Sequence, residues 1–143
     1  MSRLLQQRTR ILRVRRLQHD MAAGAAAEAA GKVQQLETSR RRLTQMRDEL
    51  RPAPGATDGS GLARIGELAM RLEAARQGLG QTIDHARAAA AQKERVRIGK
   101  RRDQESAEKL QQAAAAAAEA LAERQLARAP LRKPRFTHEG GDQ

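Results

Sequence analysis

Apolar residues recur at three- and four-residue steps along most of the chain, and one break interrupts them. After the break the steps run through Ile65, Leu68, Leu72, Ala75, Leu79, Thr82, Ala86, Ala89, Lys93, Val96, Lys100, Asp103, Ala107, Leu110, Ala114, Ala117 and Leu121. A stripe with this mean period of 3.5 residues supercoils left-handedly around a partner helix. Before the break the stripe reads Leu4, Ile11, Val14, Met21, Ala25, Ala29, Val33, Leu36, Leu43, Met46 and Leu50. Successive four-residue steps across its alanine stretch form a stutter, which locally unwinds a supercoil. The break, Arg51-Pro-Ala-Pro-Gly-Ala-Thr-Asp-Gly-Ser-Gly61, holds two prolines and three glycines, the residues that end helices and make loops. The pattern therefore predicts an all-α fold: one two-helix antiparallel coiled-coil hairpin over residues 1–129, elongated, with the second helix longer than the first. Helix 1 is expected at about 3–51, the loop at about 52–61 and helix 2 at about 62–129, giving rods of ~70 and ~100 Å. A basic, mostly disordered tail follows at 130–143, containing Pro130-Leu-Arg-Lys-Pro-Arg-Phe136.

Folding at the break, with facing residue numbers adding to about 112, sets Leu36, Leu43 and Leu50 against the Leu62–Leu79 region. It also sets the alanines of 21–31 against Ala86–Ala91. Large would then face large and small face small. In this register residues 111–128 have no partner on helix 1 and project ~25 Å beyond it.

Composition agrees with a rod and removes the ordinary globular alternative. The 143 residues include one aromatic, Phe136, and no cysteine, so the bulky side chains of a compact core are missing, as are disulfides and thiolate metal sites. The longest apolar run, Ala113–Ala118, is far short of the ~20 residues that span a bilayer. With an arginine-rich start unlike a secretory signal, the expected location is cytoplasmic, with no direct membrane insertion.

Charge adds a problem. The formal net charge is +11, and the register just described lays Arg3, Arg8, Arg10, Arg13, Arg15 and Arg16 beside Lys93, Arg95, Arg97, Lys100, Arg101 and Arg102. Like charges facing across a coiled coil destabilise it, so the open end is expected to be a basic, weakly zipped collar that an acidic, encircling or concave partner would neutralise. The plainer reading is a solvated face that keeps the rod in solution.

Catalytic chemistry is not legible. Gly24 to Val33 has the outline of a phosphate loop, but six residues separate the glycines and valine stands where the Mg²⁺-binding Ser or Thr belongs. His19, His85 and His138 have no acid or thiol companion at ligand spacing. No enzyme, cofactor or metal is expected.

The basic start Arg3-Leu4-Leu5 … Arg10-Ile11-Leu12-Arg13-Val14-Arg15-Arg16, the glycine-bearing break after ~50 residues, the long second helix and the basic, proline-containing end together resemble the YscO/FliJ family of type III secretion. Members are central stalk proteins of the export ATPase complex, and the Leu-Arg-Val-x-Arg run at 12–16 leans toward the injectisome branch. The resemblance implies a non-enzymatic stalk whose paired termini enter a hexameric type III secretion ATPase at the base of the secretion apparatus. It would link that ring to the cytoplasmic domain of the export gate membrane protein and to secretion chaperones. The ring-facing residues implied are Arg3, Arg8, Arg10, Arg13, Arg15, Arg16, Arg97, Lys100, Arg101, Arg124 and Arg128; those for the gate or a chaperone are Leu68, Leu72, Ala75 and Leu79. The flagellar FliJ-type stalk and chaperone escort is the nearest alternative. From other classes come a nucleic-acid-binding basic coiled coil, favoured by charge but lacking aromatic platforms and any DNA-reading motif, and a generic structural spacer.

Overall fold

The computed structural model describes residues 2–50 and 58–130. They form two α-helices, α1 (Arg3–Glu49) and α2 (Gly59–Arg128), of 47 and 70 residues, or ~70 and ~105 Å at 1.5 Å rise per residue. The expected basic tail beyond Pro130 and the expected loop residues 52–57 lie outside the described residues.

Each helix starts on a capping side chain. Ser2 Oγ accepts the Leu5 amide proton at 3.1 Å, and Asp58 Oδ1 accepts that of Gly61 at 2.7 Å while also taking a hydroxyl hydrogen bond from Ser60. These satisfy amide donors that a first helical turn leaves free. The Asp58 cap starts α2 at Gly59, so two glycines that read as loop residues belong to its first turn. At the far end Ala129 turns extended, as the residue before a proline must.

The helices are antiparallel. Four ion pairs cross between them, Arg15–Asp103, Arg16–Glu108, Arg87–Glu37 and Arg47–Glu73, and the α2 number falls as the α1 number rises. Burial defines the seam. On α1 a covered stripe runs through Leu5, Arg8, Leu12, Arg15, His19, Ala22, Ala26, Ala29, Val33, Leu36, Arg40 and Leu43, an unbroken alternation of three and four. There is no stutter. The expected seam members Leu4, Ile11, Val14, Met21 and Met46 are exposed instead, because the stripe one residue along continues through the alanines without a fault.

The same one-residue correction applies to half of α2. Leu72, Leu79, Ala86, Lys100, Ala107 and Ala114 are seam residues as expected, but they alternate with Ala69, Arg76, Ile83, Ala90, Arg97, Gln104, Gln111 and Ala118. Leu68, Ala75, Thr82, Ala89, Val96, Asp103, Leu110 and Ala117 are exposed. Ile83 is 0% exposed and marks the tightest point of the seam.

In the register that puts seam on seam and satisfies the four ion pairs, facing numbers add to about 119, one heptad from 112. The apolar pattern permits both registers; charge separates them. At 112 Leu12 would face Lys100 and Arg15 would face Arg97. At 119 Leu12 lies over Ala107, these two being 5% and 6% exposed, and Arg15 and Arg16 reach Asp103 and Glu108. Small then faces large over much of the rod: Ala22 and Ala26 stand opposite Arg97 and Lys93, whose aliphatic stems can lie along a methyl surface. The facing like-charge collar predicted above is therefore absent.

The shift also shortens the projecting end. Every residue from Glu119 to Pro130 is exposed, whereas 111, 114, 115 and 118 are covered. About ten residues, ~15 Å, extend past α1, not eighteen. Leu121 sits in a seam column there and is exposed because α1 has already ended.

Candidate functional site: the basic open end

Antiparallel pairing brings the start of α1 and the last turns of α2 to one end of the rod. The residues expected to face a partner are strung along it for ~45 Å, from Arg97 to Arg128 at helical rise. They are not equivalent.

Arg15 and Arg16 are engaged within the hairpin. Arg15 donates to Gln18 Oε1 at 3.1 Å and lies 3.8 Å from Asp103, and Arg16 lies 3.8 Å from Glu108. Arg97 grips both carboxylate oxygens of Glu94, and Arg101 pairs with Glu105 at 3.2 Å. The hydrogen bonds from Arg97 hold the Glu94 carboxyl below its ordinary range, and those to Glu94 raise Arg97 in turn. Arg87, in the middle of the rod, is raised in the same way by its hydrogen bond to Glu37.

Among the described residues, Arg3, Arg8, Arg10, Arg13, Lys100, Arg124 and Arg128 take part in no ion pair. Arg8 and Lys100 occupy seam columns and are half-buried, whereas Arg3, Arg10, Arg13, Arg124 and Arg128 are exposed. The free positive charge of this end thus lies on the first turns of α1 and the projecting turns of α2, with the exposed Arg102 and Lys109 between them. Five exposed cations in that arrangement can hold acidic side chains on opposite sides of the rod at once.

The four residues assigned to a gate or chaperone divide as well. Leu72 and Leu79 are seam residues, half-buried by α1; Leu68 and Ala75 face outward. Only the last two are available to a partner without opening the hairpin.

No group of His, Cys, Asp and Glu able to hold a metal occurs among the described residues, and none of their helices is long and apolar enough to cross a membrane. His19 lies in the seam with Nδ1 3.5 Å from Asp20, while Nε2 is buried without a hydrogen-bond partner; it is a packed seam residue.

Sequence reasoning missed a feature that the burial pattern exposes. In heptad terms, the three ion pairs made by Arg16, Arg87 and Arg47 lie on the flank formed by the e columns, where Thr9, Ala23, Glu37, Thr44, Glu73, Glu94, Glu108 and Ala115 are all half-buried. The opposite flank, of g columns, is open. Every α2 residue of that column from Leu68 to Ala117 is exposed. A signal for this was present: a stripe needing a stutter competed with an adjacent one needing none.

No family model matches the chain. Neither the curated proteins nor the solved structures contain a match.

Proposed function

We propose that the hairpin is the non-enzymatic central stalk of a type III secretion ATPase complex of the injectisome, YscO-like kind, working in the cytoplasm at the base of the apparatus. The observation that carries the reading is the grouping of Arg3, Arg10, Arg13, Arg124 and Arg128 at the end where both helices' termini meet, exposed and unpaired among the described residues. A slender rod with cations around one tip suits insertion into an acidic ring. A charged lumen steers the tip, and low dielectric inside the ring strengthens each pair. The rest of the rod, with Leu68 and Ala75 exposed near its other end, extends toward an export gate or a secretion chaperone.

The register sharpens the test. Replacing Arg3, Arg10 and Arg13 with glutamate removes no ion pair of the hairpin, so the melting temperature of the isolated chain should hold while association with a hexameric export ATPase drops at least about tenfold. Replacing Arg15 and Arg16 instead breaks two interhelical pairs and should lower the melting temperature. Undiminished ring association by the first variant would reject the stalk.

The rod's charge favours a second reading, a nucleic-acid-binding coiled coil. Phosphate-driven binding would fall steeply between about 0.05 and 0.2 M salt with little sequence preference. Nucleic-acid affinity that survives physiological salt, with no ring association, would favour this reading over the stalk.

A further inference from the structure

The two flanks of the hairpin differ in kind. Among the described residues no large hydrophobic side chain is exposed in the e columns, whereas Leu4, Ile11, Met46, Leu68, Val96 and Leu110 are all exposed in the g columns. Antiparallel geometry puts the g column of α1 beside the g column of α2. At the open end this brings Leu4 and Ile11, 52% and 37% exposed, alongside Leu110 at 48%, with Val14 and Met21 on the next column outward. Arg15, bonded to Gln18 and close to Asp103, lines with Arg10 and Gln18 a shallow trough on α1 beside Ile11 and Val14. Aliphatic side chains at helical spacing in a trough between two helices are what a third helix packs against.

We infer that this flank is a docking groove for an acidic amphipathic helix of a partner protein, completing a three-helix bundle over the first three heptads of α1. Charge selects the occupant. Arg10 lines the trough beside Ile11 and Arg3 lies one heptad back in the same column, both without ion pairs among the described residues, and the first 19 residues contain no acid. A helix with a Leu or Ile stripe and Glu or Asp flanks would bury the stripe and pair the arginines. A second copy of this chain would bring another formal charge of +11 against the first, and self-repulsion disfavours it. A lipid surface is the weaker match, since the groove is concave and lacks the bulky aromatic anchors of interfacial helices. The inference stands whether or not the stalk reading does, because it concerns the isolated chain.

The probe is a fluorescent 21-residue peptide of three heptads, with Leu at both core columns and Glu on the flanks, titrated with the full chain at about 0.15 M salt. One control replaces each Glu by Lys; another scrambles the order at constant composition. The acidic amphipathic peptide should bind at least about tenfold more tightly than either. In the chain, the double substitution Ile11→Gln and Leu110→Gln should weaken binding by about tenfold, while Ile98→Gln, at an exposed position off this flank, should not. All three sites are solvent-exposed, and unchanged thermal melts verify that the hairpin survives. Absent binding of the acidic amphipathic peptide, equal binding of the scrambled one, or indifference to the double substitution would overturn the groove. Two further outcomes would also replace it. Anionic phosphatidylserine vesicles that bind through Ile11 and Leu110, where the peptide does not, would make the flank a membrane face. Sedimenting dimers abolished by the same substitutions would make it a self-interface.

Discussion

Single residues in this rod carry very unequal weight. Among the described residues Ile83 is the one large side chain wholly removed from water, set in a layer with Leu36 where the seam has few other bulky groups to close around a void. Ile83→Ala should cost about 2–4 kcal/mol, read from urea unfolding. Leu110→Ala, on the open flank, should change stability by no more than about 0.5 kcal/mol. Equal effects would mean that the leucine is a core residue and that the seam has been drawn on the wrong columns. Arginine shows the same division: Arg16 has a carboxylate on the other helix, whereas Arg13 has none among the described residues. Composition makes them alike. Position decides which holds the hairpin and which is left for a partner.

At the scale of the helices, register is the decisive quantity. Cysteines at Ala29 and Ala90 face each other in adjacent core columns, so the pair should oxidise to an intramolecular disulfide, because small facing residues bring Cβ atoms within bridging distance. The pair at Leu43 and Ala69, which the 112 register would join, is separated by a further heptad, ~10 Å along the rod, and should stay reduced. Gel mobility under non-reducing conditions distinguishes the two. Efficient bridging at 43 and 69 would restore the earlier register and, with it, the facing arginines. Coverage also varies along α2: amides of 119–128, past the end of α1, should exchange fastest, and those around Ile83 slowest. Binding of a ring or a partner helix at the open end should slow the former. The existence, order and type of both helices were legible in the sequence, since 3.5-residue spacing and a proline-glycine break act locally. The seam was legible in part. Leu72, Leu79, Ala107 and Ala114 were found, but Ile83 was passed over for Thr82 and Leu12 for Ile11, because each helix offers two overlapping stripes one residue apart.

At the scale of the whole molecule, the paired helices form a thin, cationic rod, and its dimensions are testable without a partner. Small-angle scattering of the monomer should give a maximum dimension of at least ~105 Å, the length of α2 alone, and a cross-section of two helices. A maximum well below this would require α2 to bend back on itself. The formal charge of +11 should keep the chain monomeric at low salt.

Sequence alone determined that this chain is two long helices, that they pair with each other across a short break, and that one end is rich in arginine. These follow from periodicity, helix breakers and composition, which need no knowledge of what lies opposite. Only the tertiary structure decided which column of Leu4/Leu5 and Ile11/Leu12 turns inward, which heptad of α2 meets which of α1, and hence which arginines are paired. Those choices depend on the partner helix: the apolar pattern is degenerate over one residue of rotation and one heptad of sliding. The degeneracy is lifted where Arg15 and Arg16 find Asp103 and Glu108, and where Leu12 comes to rest over Ala107.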